Sequence, residues 1–135
     1  MKMLIDTNVV LDVLCGRQEF LEDSEKVFKL CEVKKLSGYI SALSIPNIIY
    51  IMRKELEPGK TKEILDKLML IFSVADLKAD DLKKAADLNF KDYEDAVQSA
   101  CASRIHADYI ITRNIRDFTG GRVAAIKPSE LLERL

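Results

Sequence analysis

The apolar positions of this chain change their period at short intervals. Met3-Leu4-Ile5 is a continuous apolar run cut off by Asp6-Thr7-Asn8, after which Val9, Val10, Leu11, Val13 and Leu14 fall on one broad helical face. This predicts a buried strand ending at Asp6 with a helix directly behind it. Residues 15–19 read as the helix end and a loop, and residues 24–35 as a second helix with Val27, Leu30 and Cys31 inward. Residues 38–41 form a predicted strand. Ile45, Ile48, Ile49 and Met52 mark a third helix that tolerates Pro46 in its first turn and ends near Arg53-Lys54. Pro58-Gly59 punctuates the chain before a helix over 61–70 and a strand over 71–74. A helix beginning at Asp80 carries Leu82, Ala85, Ala86 and Leu88, and Asn89-Phe90-Lys91 interrupts it. Asp92 opens another, whose small residues at 96, 97, 100 and 101 predict close packing. Residues 107–112 are the clearest later strand. After the turn at Gly120-Gly121 come a short edge strand over 123–126 and a terminal helix starting at Pro128.

Strands alternating with helices predict an α/β fold, a three-layer α/β/α sandwich around a central, mostly parallel sheet of four to five strands. The 135 residues read as a single domain spanning 1–135, and 48% hydrophobic with 32% charged residues suits a globule with a real core. A net charge of -1 provides no broad basic field, so a nucleic-acid partner would be held by a local patch or through bound metal. Cys15, Cys31 and Cys101 are odd in number and set in apolar helical patterns, which suits reduced buried thiols in a cytoplasmic protein. No apolar run approaches the ~20 residues of a membrane span, and no leader opens the chain, so neither membrane nor export is expected. The single histidine, His106, excludes a histidine-rich metal site and reads as a structural or solvent-facing loop residue.

The chemistry lies in the polar residues at the predicted strand ends. Asp6 ends the first strand, Asp95 sits in the first turn of a helix, and Asp117 lies five residues beyond Thr112. Parallel strands with right-handed crossovers bring their carboxyl ends and the following helix starts to one edge, where these carboxylates can converge. Like charges held together call for a cation. Oxygen ligands without cysteine or histidine favour magnesium or manganese over zinc, and such an ion supports phosphodiester hydrolysis.

Each residue also has a local reading. Asp6, Thr7 or Asn8 can cap the following helix, Asp92 and Asp95 can form a reciprocal cap, and Asp117 can initiate a turn. Asp12 reads as an exposed or loop-contacting helix residue, and Tyr50 as a packing residue. Arg104, Arg113, Arg116 and Arg122 gather near the later segment in sequence, where Arg113 and Arg116 either grip an RNA backbone or form a solvated surface.

The segments Leu4-Ile5-Asp6-Thr7-Asn8-Val9-Val10-Leu11-Asp12, residues 40–48, Asp92-Tyr93-Glu94-Asp95-Ala96 and Ile110-Ile111-Thr112-Arg113-Asn114-Ile115-Arg116-Asp117-Phe118 together resemble PIN domains. This is the metal-dependent ribonuclease family that includes VapC-type toxins. The resemblance runs over nearly the whole chain, and its first and last segments are the most specific. It implies that Asp6, Asp95 and Asp117 ligate Mg2+ or Mn2+ or orient its water, that Thr112 fixes the strand-end loop, and that Asn8 hydrogen-bonds Asp6. Asn114 stands where many relatives have another acid and would contact the ion through its amide oxygen or a water. Asn47 stands where many active relatives carry glutamate; it brings no charge, so metal affinity should fall. The implied function is an endoribonuclease acting on single-stranded RNA, with an antitoxin partner and a homodimeric state. The alternative is a catalytically weakened module that binds RNA or a protein. An aspartate phosphoacceptor domain fits less well, because a paired acid is missing at the first strand end and Lys127 is poorly placed.

Overall fold

Met3, Leu4 and Ile5 have no exposed surface, and a strand that needs cover on both faces belongs in the middle of a sheet. The computed structural model, described over residues 1–55 and 59–135, places it there. The elements in chain order are β1 (Lys2–Ile5), α1 (Thr7–Leu14), α2 (Gln18–Glu32), β2 (Ser37–Ser41), α3 (Ser44–Glu55), α4 (Thr61–Ile71), β3 (Ser73–Ala75), α5 (Ala79–Ala86), α6 (Tyr93–Arg104), β4 (Tyr109–Ile111), a 3₁₀ turn (Ile115–Phe118), β5 (Ala125–Ile126) and α7 (Pro128–Glu133). The sheet has five strands in the order β3-β2-β1-β4-β5, and every pairing is parallel. Leu4 lies in register with Tyr39 on one side and Ile110 on the other.

The alternation of side chains along β1 divides the core. Met3 and Ile5 join Val9, Val27, Ile40, Ile48 and Leu131 in the larger cluster under α1, α2, α3 and α7, while Leu4 faces Ala102, Ile110 and Phe118. A third cluster of Ala85, Ala96, Val97 and Ala100 joins α5 to α6. Seven consecutive residues of α6, from Ala96 to Ala102, are buried and small or unbranched apart from Val97, so this helix lies close against its neighbours. The three layers expected from the sequence are present.

Topology positions the site. The chain starts at the centre, moves outward through β2 and β3, and then crosses to the other side of β1 to lay down β4. The strand order therefore reverses between β1 and β4, and in open parallel sheets the crevice beyond the strand ends at such a reversal is where ligands bind.

Several boundaries differ from the sequence expectation. Helix α2 begins at Gln18, within the segment read as a loop, and takes in Phe20, whose ring lies under Arg113 at 4.0 Å. It ends at Glu32, before Lys34 adopts a left-handed backbone at φ 62, and Lys35 and Leu36 both donate back to the Leu30 carbonyl. Ile71 finishes α4, leaving β3 at residues 73–75, and β4 and β5 are shorter than expected. Of the Pro58-Gly59 punctuation, Gly59 has φ 96 and Pro58 lies outside the described residues. Cys31 and Cys101 are buried, Cys15 is half-buried, and all three are free thiols. No helix among the described residues is long and apolar enough to cross a membrane.

Candidate active site

Asp6 follows β1 directly and occupies the N-cap place of α1, yet its side chain makes no capping hydrogen bond there. Its carboxylate turns inward, 5% exposed, and is held from two sides. Thr112 Oγ1, one residue past β4, donates to Oδ2 at 2.9 Å, and Gln98 Nε2 of α6 donates to Oδ1 at 3.2 Å. The cap reading therefore falls to the backbone, where the Asp6 carbonyl accepts from Val9 and Val10. Asp6 is instead tied across the strand reversal.

Thr112 is fully buried and also accepts from the Asn114 backbone N–H at 3.0 Å, so one hydroxyl fixes both the carboxylate and the loop that follows β4. Ser41 does the same for its own loop at the end of β2, accepting from Leu43 N–H at 3.2 Å. Asn8 does not support Asp6 by a hydrogen bond among the described residues; Thr112 and Gln98 take that place. Sequence reading missed Gln98. The available signal was its i+3 spacing from Asp95, which puts both on one face of α6.

Asp95 lies in the first turn of α6 and is half-buried. Asp92, not Asp95, caps this helix, accepting from Glu94 N–H at 2.8 Å, and no reciprocal bond from Asp95 accompanies it. Burial, followed by the negative charges of Asp92, Asp6, Asp117 and Glu94, pushes the Asp95 carboxyl up to about 7. Burial also raises the Asp6 carboxyl, against the lowering effect of its bonds from Thr112, Gln98 and the Thr7 backbone, and Asp117 adds to the rise. The charge of Asp117 thus reaches both Asp6 and Asp95, and that of Asp6 reaches Asp95. Asp117 is exposed on the 3₁₀ turn, and no hydrogen bond to its carboxylate is made among the described residues. The loop that carries it is pressed against α6 at Gly121, where any side chain would collide with Ser99 Oγ.

Among the described residues no group of three or more acidic, histidine or cysteine side chains is closed into a ready-made metal cage. The donor set still suits magnesium, which keeps several waters and is usually held by one or two carboxylates. A second feature points the same way: Gln98 Oε1 is buried beside Asp6 without a hydrogen-bond partner. Asn47 is exposed in the first turn of α3, at the edge of the sheet reached by β2, and Asn114 is exposed in the loop after β4.

The basic residues are less concentrated than the sequence suggested. Arg104 sits at the far end of α6 from Asp95, paired with the buried Asp81 at 2.9 Å. Arg113 is committed to Asp12: its Nη2 donates to Oδ1 at 3.2 Å, and its Nε lies 2.8 Å from Oδ2 as an ion pair too bent for a hydrogen bond. Arg17 adds a contact to Asp12 at 3.4 Å. Asp12 touches the loop, as one reading had it, but it is fully buried and in no sense exposed. Arg116 stays exposed, and Tyr50, expected to pack, is 66% exposed on α3. Three cavities of about 280, 550 and 510 Å³ lie away from Asp6, Asp95 and Asp117.

A family model for the PIN domain matches residues 2–116. The comparison with curated proteins gives no match. Among solved structures, the chain is similar to VapBC2 from Rickettsia felis, bound to a DNA fragment from their promoter, at 15% identity with a TM-score of 0.73 over 94% of this chain and 98% of that one. It is similar to DNA-bound VapBC from Salmonella typhimurium at 16% identity and a TM-score of 0.71, covering 95% and 98%. A third likeness is to VapC20 of Mycobacterium tuberculosis, a sarcin-ricin loop cleaving toxin, at 12% identity and a TM-score of 0.62 over 80% and 86%. At these identities the likeness is one of fold.

Proposed function

The chain belongs to the PIN domain family, and from that premise we propose that it is a Mg2+- or Mn2+-dependent endoribonuclease that hydrolyses phosphodiester bonds of single-stranded RNA. The observation that carries the proposal is the Asp6 carboxylate held by groups from α6 and the end of β4 at the reversal of strand order, where burial and then the charges of Asp92, Asp6 and Asp117 push Asp95 up to about 7. A carboxyl kept protonated by burial and like charge is one that a divalent ion can claim in place of the proton. Asp6 and Asp95 would hold the ion, with Asp117 and Asn114 reaching it from the loop after β4. Bound there, the ion would polarise a phosphodiester and lower the pKa of water.

The protein's own part is positioning. Thr112 and Gln98 hold the Asp6 carboxylate in one orientation, and Asp92 fixes the start of the helix that carries Asp95. Arg116 is available to a backbone phosphate; Arg113 reaches RNA only by leaving Asp12.

The solved relatives named VapBC make the toxin reading attractive, with a small antitoxin as partner, and Tyr50, Met69 and Leu70 provide exposed apolar surface on α3 and α4 for a homodimer. The test is cleavage of single-stranded RNA with Mg2+ or Mn2+, lost on chelation and lost in Asp6→Asn and Asp95→Asn with unchanged circular dichroism. Cleavage that persists in both variants removes the mechanism. Asn47 favours a second reading, a weakened module that binds RNA or a protein partner, and RNA binding without cleavage by the native chain would select it.

A further inference from the structure

Gln98 is 2% exposed and lies one turn beyond Asp95 on α6. Its amide has a defined orientation, because Asp6 as a carboxylate only accepts, and so the edge 3.2 Å from Asp6 Oδ1 must be the donating nitrogen. The oxygen is then directed elsewhere. It is buried and has no partner in the protein.

A buried acceptor without a donor lowers stability, and a side chain of similar length without polar atoms would fill the same space at no such cost. The acids that influence this site are acceptors when ionised and cannot supply the missing proton. Ser99 Oγ and Thr7 Oγ1 are also buried and unpaired, but Ser99 abuts Gly121 and neither bonds Asp6 through its side chain. Gln98 alone among these side chains donates to the site and keeps an unused acceptor.

We propose that Gln98 is a positioning residue of the metal centre: its amide nitrogen orients Asp6, and its amide oxygen accepts a hydrogen bond from a water held by the cation. The inference rests on the metal-dependent reading given above and adds to it a residue outside the acidic set. Water bound to a divalent ion is a strong donor, and magnesium retains several such waters. Partners of this outer kind fix the direction of the ligands that touch the ion.

The experiment is calorimetric titration of Mn2+ into the native protein, Gln98→Met and Thr112→Val, with thermal melts of each in chelator. Gln98→Met loses the orphaned acceptor together with the bond to Asp6, so it should melt no lower than Thr112→Val, which loses the bond to the other Asp6 oxygen, while its Mn2+ affinity falls by about tenfold or more and further than that of Thr112→Val. Equal affinity of native and Gln98→Met overturns this inference and leaves the metal site standing. A loss of affinity no larger than that of Thr112→Val assigns the amide only its bond to Asp6 and also overturns the inference. Absence of Mn2+ binding by the native protein removes the metal-dependent reading and the inference with it.

Discussion

Thr112 Oγ1 gives its proton to Asp6 Oδ2 at 2.9 Å while accepting the Asn114 N–H at 3.0 Å. A single buried hydroxyl thereby joins the ends of the two neighbouring strands between which the strand order reverses. Thr112→Val preserves shape and removes both bonds. Stability should fall by about 1–3 kcal/mol, the cost of leaving buried polar groups unpaired, read as a lower urea midpoint with an unchanged slope. Mn2+ affinity should fall with it, because Asp6 loses the bond on one of its two oxygens.

Asp95 makes stability depend on pH in a defined direction. Its carboxyl rises from an ordinary 3.8 to about 7 in the folded chain, so the folded state binds the proton more tightly than the unfolded one. Its contribution is fully present below about 4 and is lost as pH rises through 7. In chelator, melting curves of the native protein should therefore decline between pH 5 and 8 relative to those of Asp95→Asn. Because solvent screens a half-exposed carboxyl, the difference should be on the order of 1–2 kcal/mol. Adding Mn2+ should stabilise the native protein more at pH 8 than at pH 6, since metal and proton compete. A flat difference between the two proteins would mean that Asp95 does not sense its acidic neighbours.

The Arg113–Asp12 pair should behave as a structural tie. Asp12 has no exposed surface, and removing its main cation leaves a buried charge with only the contact from Arg17 at 3.4 Å. Arg113→Met should cost about 3 kcal/mol or more in chemical denaturation. The double variant Arg113→Met with Asp12→Asn should recover much of that loss. If the single variant is neutral, the loop after β4 is anchored by other contacts.

Asn47→Glu adds a charge in the first turn of α3. It should tighten Mn2+ binding severalfold, as an added carboxylate does near a hard cation. Unchanged titration curves would show that α3 turns this position away from the ion.

The sequence made the parallel sheet and its acidic edge legible for a physical reason. An apolar run with no polar face predicts a central strand and sets the aspartate that ends it at the sheet edge, as in Met3-Leu4-Ile5-Asp6, where the backbone and not the side chain caps α1. The same logic located Thr112 after β4 and Asp95 at the start of α6. What stayed hidden depended on partners far along the chain. Asp12 looks like a surface helix residue until Arg113, 101 positions away, covers it. Gln98 is one polar residue among small ones, and its meaning comes from Asp6, 92 positions earlier. Phe20, near the start of α2, lies under an arginine from the last third of the chain. Periodicity within a window sees none of these pairings.

Helix α6 carries both Asp95 and Gln98, and alanines at 96, 100 and 102 let it nestle into the fold. The gauge of the acidic rim is accordingly set by methyl groups. Bulkier side chains at those positions would act as shims, lifting one jaw of the site off the other while leaving every polar atom in the chain intact.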